Sequence, residues 1–248
     1  MCGRYADFKA SDELAALFAV DPAWISESAA AHRPNWNVAP TRDVRVVVSG
    51  PADDPGAVSG SSSPAPMYVR RLNTARWGLV PAWSADLSIG ARMINARAET
   101  VATKRSFKAA ANKRRCIIPA DAYYEWQRRE GGKVPFAIAP AGAAVFAFAG
   151  LYEFWSPRGG GPAIATCTII TTAAAGDLAR IHDRRPVMLA GGDYGRWLDP
   201  TRAFLDVEPL LHTPQPPVRS WRVSPLVGNV RNNGPELLRP DPPLARDH

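Results

Sequence analysis

Apolar residues first recur at helical spacing across residues 11–20, where Leu14, Leu17 and Phe18 share a side and Asp12 and Glu13 stand in the first turn. That spacing predicts an amphipathic helix. Residues 35–41 lack periodicity and read as a loop ending near Pro40, followed by a short strand over 44–48. From residue 67 the pattern changes to short strand-like runs, at 67–72, 75–79, 116–118, 122–127, 135–139, 144–154 and 166–172. Helical stretches interrupt them. Residues 104–114 form a basic helix with Phe107, Ala110 and Ala111 on one side, 176–182 a short helix, and 193–198 a further helical turn.

Strands that surround isolated helices without a regular βαβ alternation predict an α+β fold. We expect one domain, built on a curved, largely antiparallel β-sheet or partial barrel flanked by short helices, over residues 2–233. Residues 49–66 are rich in Gly, Pro, Ser and Asp and read as a flexible insertion, and the proline-rich residues 234–248 as a loosely held tail.

Composition narrows the classes. The 248 residues suffice for one sizeable core, and 46% hydrophobic with 21% charged residues is ordinary for a globular chain. There is no apolar run of membrane-spanning length and no charged-then-apolar leader, so a cytoplasmic location is expected, with no membrane partner. Three cysteines without C-x-x-C spacing argue against a disulfide framework and a zinc site, and neither a metal nor an organic cofactor is indicated. Cys116 and Cys167 lie in strand-like runs and read as small buried hydrophobes. The net charge of +7, with a pI near 9.7, points to a polyanionic partner such as nucleic acid.

Candidate chemistry lies first at Cys2. Trimming of Met1 would leave an amine and a thiol on adjacent carbons, which together convert an aldehyde first to an imine and then to a thiazolidine ring. Asn95 and Arg97 offer an amide and a phosphate-matching fork, although Asn95 capping a turn and Arg97 paired to Glu99 fit the same residues. Glu125, set among Tyr123, Tyr124 and Trp126, is a candidate general acid or base if buried, and an ordinary strand residue if exposed. His182 suits proton transfer near neutral pH, with Arg184 placed to hold a phosphate beside it; His32, His212 and His248 read as surface residues. Trp77 and Trp83, interleaved with Arg76, suit either a base-stacking groove or a core.

Taken in order, Met1-Cys2-Gly3-Arg4-Tyr5, Asn37-Val38-Ala39-Pro40-Thr41, Arg76-Trp77-Gly78-Leu79-Val80-Pro81, Asn95-Ala96-Arg97-Ala98-Glu99-Thr100, Arg115-Cys116-Ile117-Ile118-Pro119, Tyr124-Glu125-Trp126, His182-Asp183-Arg184 with Pro186, and Asn232-Asn233 resemble the SOS-response-associated peptidase family. Its members act as abasic-site processing proteins. The resemblance implies covalent capture of abasic sites in single-stranded DNA, by a monomer that associates with the nucleoid when it acts. Cys2 is then the nucleophile, Asn95 orients the N-terminus and the sugar, Glu125 is the general acid or base at the amine, and His182 protonates the opening sugar oxygen. Arg4, Arg97 and Arg184 correspond to positions near DNA phosphates, and Asn37 and Trp77 to the groove around the lesion. Self-processing ahead of the cysteine and a lyase activity are implied as well. The chain departs from the pattern at Arg185, where the family often has methionine, and in the length of the 49–66 insertion. A glutamine amidotransferase-like hydrolase with an N-terminal cysteine and a non-catalytic single-strand binder are the alternative classes.

Overall fold

The computed structural model describes residues 2–52 and 68–241. In chain order it contains β1 (Tyr5–Asp7), α1 (Ser11–Phe18), α2 (Glu27–Ala30), β2 (Asn35–Val38), β3 (Asp43–Pro51), β4 (Tyr68–Trp77), β5 (Asn95–Arg97), α3 (Arg105–Lys113), β6 (Arg115–Ala120), β7 (Ala122–Arg129), β8 (Gly132–Pro140), β9 (Phe146–Trp155), β10 (Ile164–Ala173), β11 (Arg184–Pro186), α4 (Tyr194–Leu198), α5 (Phe204–Val207) and β12 (Val218–Arg222), joined by short 3-10 turns. The class is the expected α+β, with two mostly antiparallel sheets.

One sheet runs β12-β8-β7-β1-β2. In the other, β4, β3, β6 and β9 follow one another from β10, and β9 pairs back onto β10, so these strands close into a ring. β4 and β5 both lie parallel to β10 while its other partners are antiparallel. β9 is buried at most positions on both faces, which is why its sequence is a nearly unbroken apolar run. The inner residues of the two sheets share one core, in which Cys2, Tyr5 and Tyr123 pack with Val46, Trp77, Phe148 and Ile169. On the far side of the ring α1, α3, α4 and α5 cover Val47, Leu72, Ile117 and Ile170.

The chain crosses between the sheets at Asp121, whose Oδ2 accepts from the N–H groups of Phe8 (2.7 Å) and Lys9 (3.2 Å). This fixes β1, and so the N-terminus, against β7: Tyr5 lies opposite Tyr123, and the Tyr124 N–H donates to Arg4 O at 2.9 Å. A second tie is the buried guanidinium of Arg45, which grips Asp7, Ser11 Oγ (3.0 Å) and Lys9 O (2.8 Å). His32 joins this network through Nε2 and Asp7 O at 3.0 Å, so it is a structural residue and not the surface residue expected. Between β2 and β3 the β-branched Thr41 is held at φ 68°, a conformation that costs about 1–3 kcal/mol. Its N–H donates to Trp77 O, and Trp77 N–H to Arg42 O, each at 2.8 Å.

Several local expectations are corrected. α1 buries Leu14, Ala15 and Phe18 while Leu17 is exposed. Residues 35–38 are strand, not loop, because they pair with β1. The two runs at 67–72 and 75–79 are the single strand β4, and β3 continues through Ser49 to Pro51, so the expected insertion begins later; most of it lies outside the described residues. The first part of the tail is packed: Leu237 is buried, Trp221 Nε1 donates to Leu238 O at 2.8 Å, and Arg222 pairs with Asp241 at 3.3 Å. Residues 242–248 lie outside the described residues.

Candidate active site

Cys2 lies three residues ahead of the start of β1, fully buried, with Tyr5, Trp77 and Tyr123 among its core neighbours. Burial pushes its thiol far above the ordinary range; the charge of Glu125 adds to the effect, and the Arg4 N–H works against it. The resting group is therefore a thiol. Cys116 and Cys167 are also free and buried, as expected of core hydrophobes.

Asn95 reaches the same place from the opposite sheet. β5 is held parallel to β10, with Asn95 opposite Ile169, and this register lets the Asn95 amide donate from Nδ2 to Cys2 O at 2.8 Å. Its Oδ1 is buried and has no hydrogen-bond partner among the described residues. The amide thus fixes the cysteine backbone and retains an acceptor.

Glu125 comes from β7, where alternation sends Tyr123 and Glu125 to the side of Cys2 and Tyr124 to the opposite core with Ala6 and Val223. It is only 4% exposed, and burial raises its carboxyl to about 7. The buried alternative of the two sequence readings holds. A carboxyl at that value exists in both protonation states near neutral pH and can give or take a proton.

His182 follows the 3-10 turn Gly176–Arg180 and precedes β11. Its Nε2 stands 3.9 Å from Glu125 Oε2, and its Nδ1 accepts from the Arg184 N–H at 3.0 Å. That backbone donor places the proton of the neutral ring on Nε2, toward Glu125. Asp183 Oδ1 also lies 2.9 Å from Nδ1, but this mostly exposed carboxylate can accept from it only when the ring is charged. Burial holds His182 below its usual value, so the neutral ring prevails at pH 7.

The residues expected to meet DNA divide. Arg97 is exposed on β5, and Glu99 is not its partner. Arg184 takes that carboxylate instead, with Nη1 to Oε1 at 2.6 Å and Nη2 to Oε2 at 2.9 Å, and adds Thr171 O at 2.7 Å. Arg4 is half-buried; its Nη1 donates to Asn37 Oδ1 (2.8 Å) and Val227 O (2.9 Å). Asn37 is itself buried and spends Nδ2 on the carbonyls of Asn229 (3.0 Å) and Asn232 (2.9 Å). It organises the loop that seats Arg4, and both residues line one open groove. Trp77 is a correction: it is 0% exposed, stacks edge-on with Tyr5 at 5.2 Å, and its Nε1 donates to Ile94 O at 2.9 Å. A ring enclosed on every side presents no face to a base, so Trp77 forms the floor beneath Cys2. In the same segment the exposed ring is Trp83, with the Arg105 guanidinium 4.7 Å above it. Sequence reasoning also passed over Tyr123, a buried neighbour of Cys2 and Glu125.

Among the described residues no group of three or more His, Cys, Asp or Glu side chains has a metal-holding arrangement, and no helix is long and apolar enough to cross a membrane.

A buried cysteine at position 2 held by an amide, with a carboxyl–imidazole pair beside it, in an α+β domain of two mostly antiparallel sheets, defines a class of protein by its site and its fold together. The particular family follows from comparison: the model of SRAP, the SOS response associated peptidase family, matches residues 1–230, and the chain belongs to that family. It is 39% identical over 241 residues to the abasic site processing protein YoaM of Bacillus subtilis, covering 96% of this chain and 97% of that one. It is 33% identical to the abasic site processing protein HMCES of Gallus gallus, covering 88% of this chain and 69% of that one. Among solved structures, a protein from Bordetella bronchiseptica superposes with a TM-score of 0.71 at 26% identity, covering 90% of this chain and all of that one. A Bacteroides thetaiotaomicron protein superposes at 0.77 and 21% identity and shares the fold.

Proposed function

We propose that this protein, once Met1 has been removed, captures the ring-opened aldehyde of an abasic site in single-stranded DNA as a thiazolidine on Cys2, and so shields the lesion. The observation that carries the reading is the meeting around Cys2 of Asn95 from β5, Glu125 from β7 and His182 from the segment before β11. As the hemiacetal opens, the Glu125 carboxylate takes the proton of the C1 hydroxyl while the protonated fraction of His182 gives a proton from Nε2 to the sugar ring oxygen, and the proton returns from Glu125 to the imidazole 3.9 Å away. The Cys2 amine attacks the aldehyde carbon, and Glu125 carries protons between nitrogen and the departing oxygen until water leaves and an imine remains. The thiol then adds across the C=N bond, its sulfur to carbon and its proton to nitrogen. One water is lost overall. Because burial keeps sulfur protonated, the amine acts first.

The names of the relatives support abasic DNA as the substrate. Self-processing of the residue ahead of Cys2 is part of the proposal, with Glu125 as its acid–base group. A Glu125→Gln protein should then retain Met1 while the wild type lacks it, and equal trimming of both would assign that step to another enzyme.

The capture itself is tested with an end-labelled oligonucleotide carrying one abasic site. The wild type should shift the label into a species that survives detergent and heat. Cys2→Ala should form none, while keeping non-covalent affinity within about threefold. An undiminished adduct in Cys2→Ala would remove the cysteine from the mechanism.

A further inference from the structure

His182 and Asp183 are neighbours in sequence whose backbones are fixed by two different elements. The His182 N–H donates to Leu178 O at 3.0 Å in the 3-10 turn, and the Ala174 N–H, just past β10, donates to Asp183 O at 2.9 Å. Held in this way, the Asp183 carboxylate stands with Oδ1 2.9 Å from His182 Nδ1, although its side chain is 84% exposed. The same nitrogen faces the Arg184 N–H at 3.0 Å. Nδ1 thus has a donor and an acceptor within reach, and its protonation decides between them: without a proton it accepts from Arg184, and with one it donates to Asp183. The other charged groups around the ring are Glu125, 3.9 Å from Nε2, Arg128 farther along β7, and the amino terminus. Arg180 lines the same cleft but is mostly exposed and lies 3.6 Å from Asp177. Burial, the amino terminus and Arg128 lower the imidazole, whereas Asp183 raises it.

We infer that Asp183 is a positioning residue for His182: its carboxylate holds the imidazolium by Nδ1, so that Nε2 is the nitrogen that gives a proton to the sugar ring oxygen and takes one back from Glu125. The inference rests on the reading of the Cys2 site as one that opens and captures an abasic sugar. In the step itself the Nε2 proton passes to the ring oxygen as the ring C–O bond breaks, while the C1 hydroxyl proton passes to the Glu125 carboxylate. Through this transfer Nδ1 transiently keeps its proton against Asp183, which leaves Nε2 unprotonated and facing Glu125, from which it recovers a proton. Without the carboxylate the Arg184 N–H competes for Nδ1 and favours the neutral ring with its proton on Nε2. A ring in that form has no lone pair at Nε2 with which to take the proton back.

The test compares wild type with D183N, both with Met1 removed; the substitution keeps the size of an exposed side chain and removes its charge. Proton NMR follows the Cε1–H of His182, assigned by its disappearance in H182Q. Its titration midpoint should fall by about half a pH unit in D183N, the scale of an exposed ion pair, and D183E should recover most of that shift. The rate of adduct formation on a saturating abasic oligonucleotide is then measured across pH. Titration of the Cys2 amine cancels in the ratio of variant to wild-type rates, which should fall from near one at about pH 5.5 to roughly one third at about pH 8. A merely structural loss would lower the rate by the same factor at every pH. An unchanged His182 midpoint, or a rate ratio constant across the series, would overturn the inference. If D183N lowers the midpoint while the wild type forms no adduct that survives denaturation, Asp183 still holds the imidazolium and it is the chemistry proposed at Cys2 that falls.

Discussion

Glu125→Gln should make this protein more stable and less active. Burial raises the Glu125 carboxyl from 4.5 to about 7, so ionising it inside the fold costs about 3 kcal/mol, at 1.36 kcal/mol per unit. The sign follows from proton counting. Between those values the unfolded chain has released a proton that the folded chain still holds, so stability falls as pH rises from about 4.5 to about 7. Below that window both states are protonated and the cost vanishes. Glutamine keeps the shape and one donor but has nothing to ionise. Urea unfolding should therefore find the two proteins close at pH 4.5 and the variant ahead by up to about 3 kcal/mol at pH 8, roughly 6 °C or more in Tm for a domain of this size. With Met1 removed from the variant as well, the rate of adduct formation should drop by at least about 100-fold, as expected on losing a general acid–base group. Parallel pH–stability curves for the two proteins would refute the buried, raised carboxyl, and full activity in the variant would refute its role in proton transfer.

The other predictions concern neighbours of this carboxyl. Asn95→Ala removes the 2.8 Å bond to Cys2 O; it should cost about 1 kcal/mol in denaturant unfolding and slow adduct formation more than it weakens non-covalent binding, as timed gel samples and anisotropy would show. Trp77→Phe removes the Nε1 bond to Ile94 O and leaves a void; it should lower stability by about 1–3 kcal/mol and leave single-strand affinity unchanged at temperatures where both proteins are folded. A clear loss of affinity would return Trp77 to the DNA surface.

Much of this was legible in the sequence because it depends on local periodicity. The two-residue alternation around Glu125 put Tyr123 and Glu125 on one face, and the side of α3 that carries Phe107, Ala110 and Ala111 is the buried one. What escaped depends on distant partners. β2 and β12 have weak strand signals of their own and exist because β1 and β8 offer free edges. Glu99 has Arg97 two residues away but bonds to Arg184, which β11 brings to it across β10. Trp77 and Trp83 occupy similar surroundings in sequence, yet one is a core floor and the other an exposed ring, because only the first lies where β4 passes beneath Cys2. Arg33, Arg42 and Arg76 come from a loop, a turn and a strand and line one groove with Arg4, a convergence that belongs to the folded chain.

The central claim is that Cys2 offers an amine and a thiol to one aldehyde. Its most direct test is the intact mass of the protein before and after incubation with a single-stranded oligonucleotide bearing one abasic site. The account predicts a starting mass without Met1, then an increase equal to the oligonucleotide minus one water that persists under denaturing conditions. A protein that lacks Met1, binds the oligonucleotide and gains no mass would contradict it.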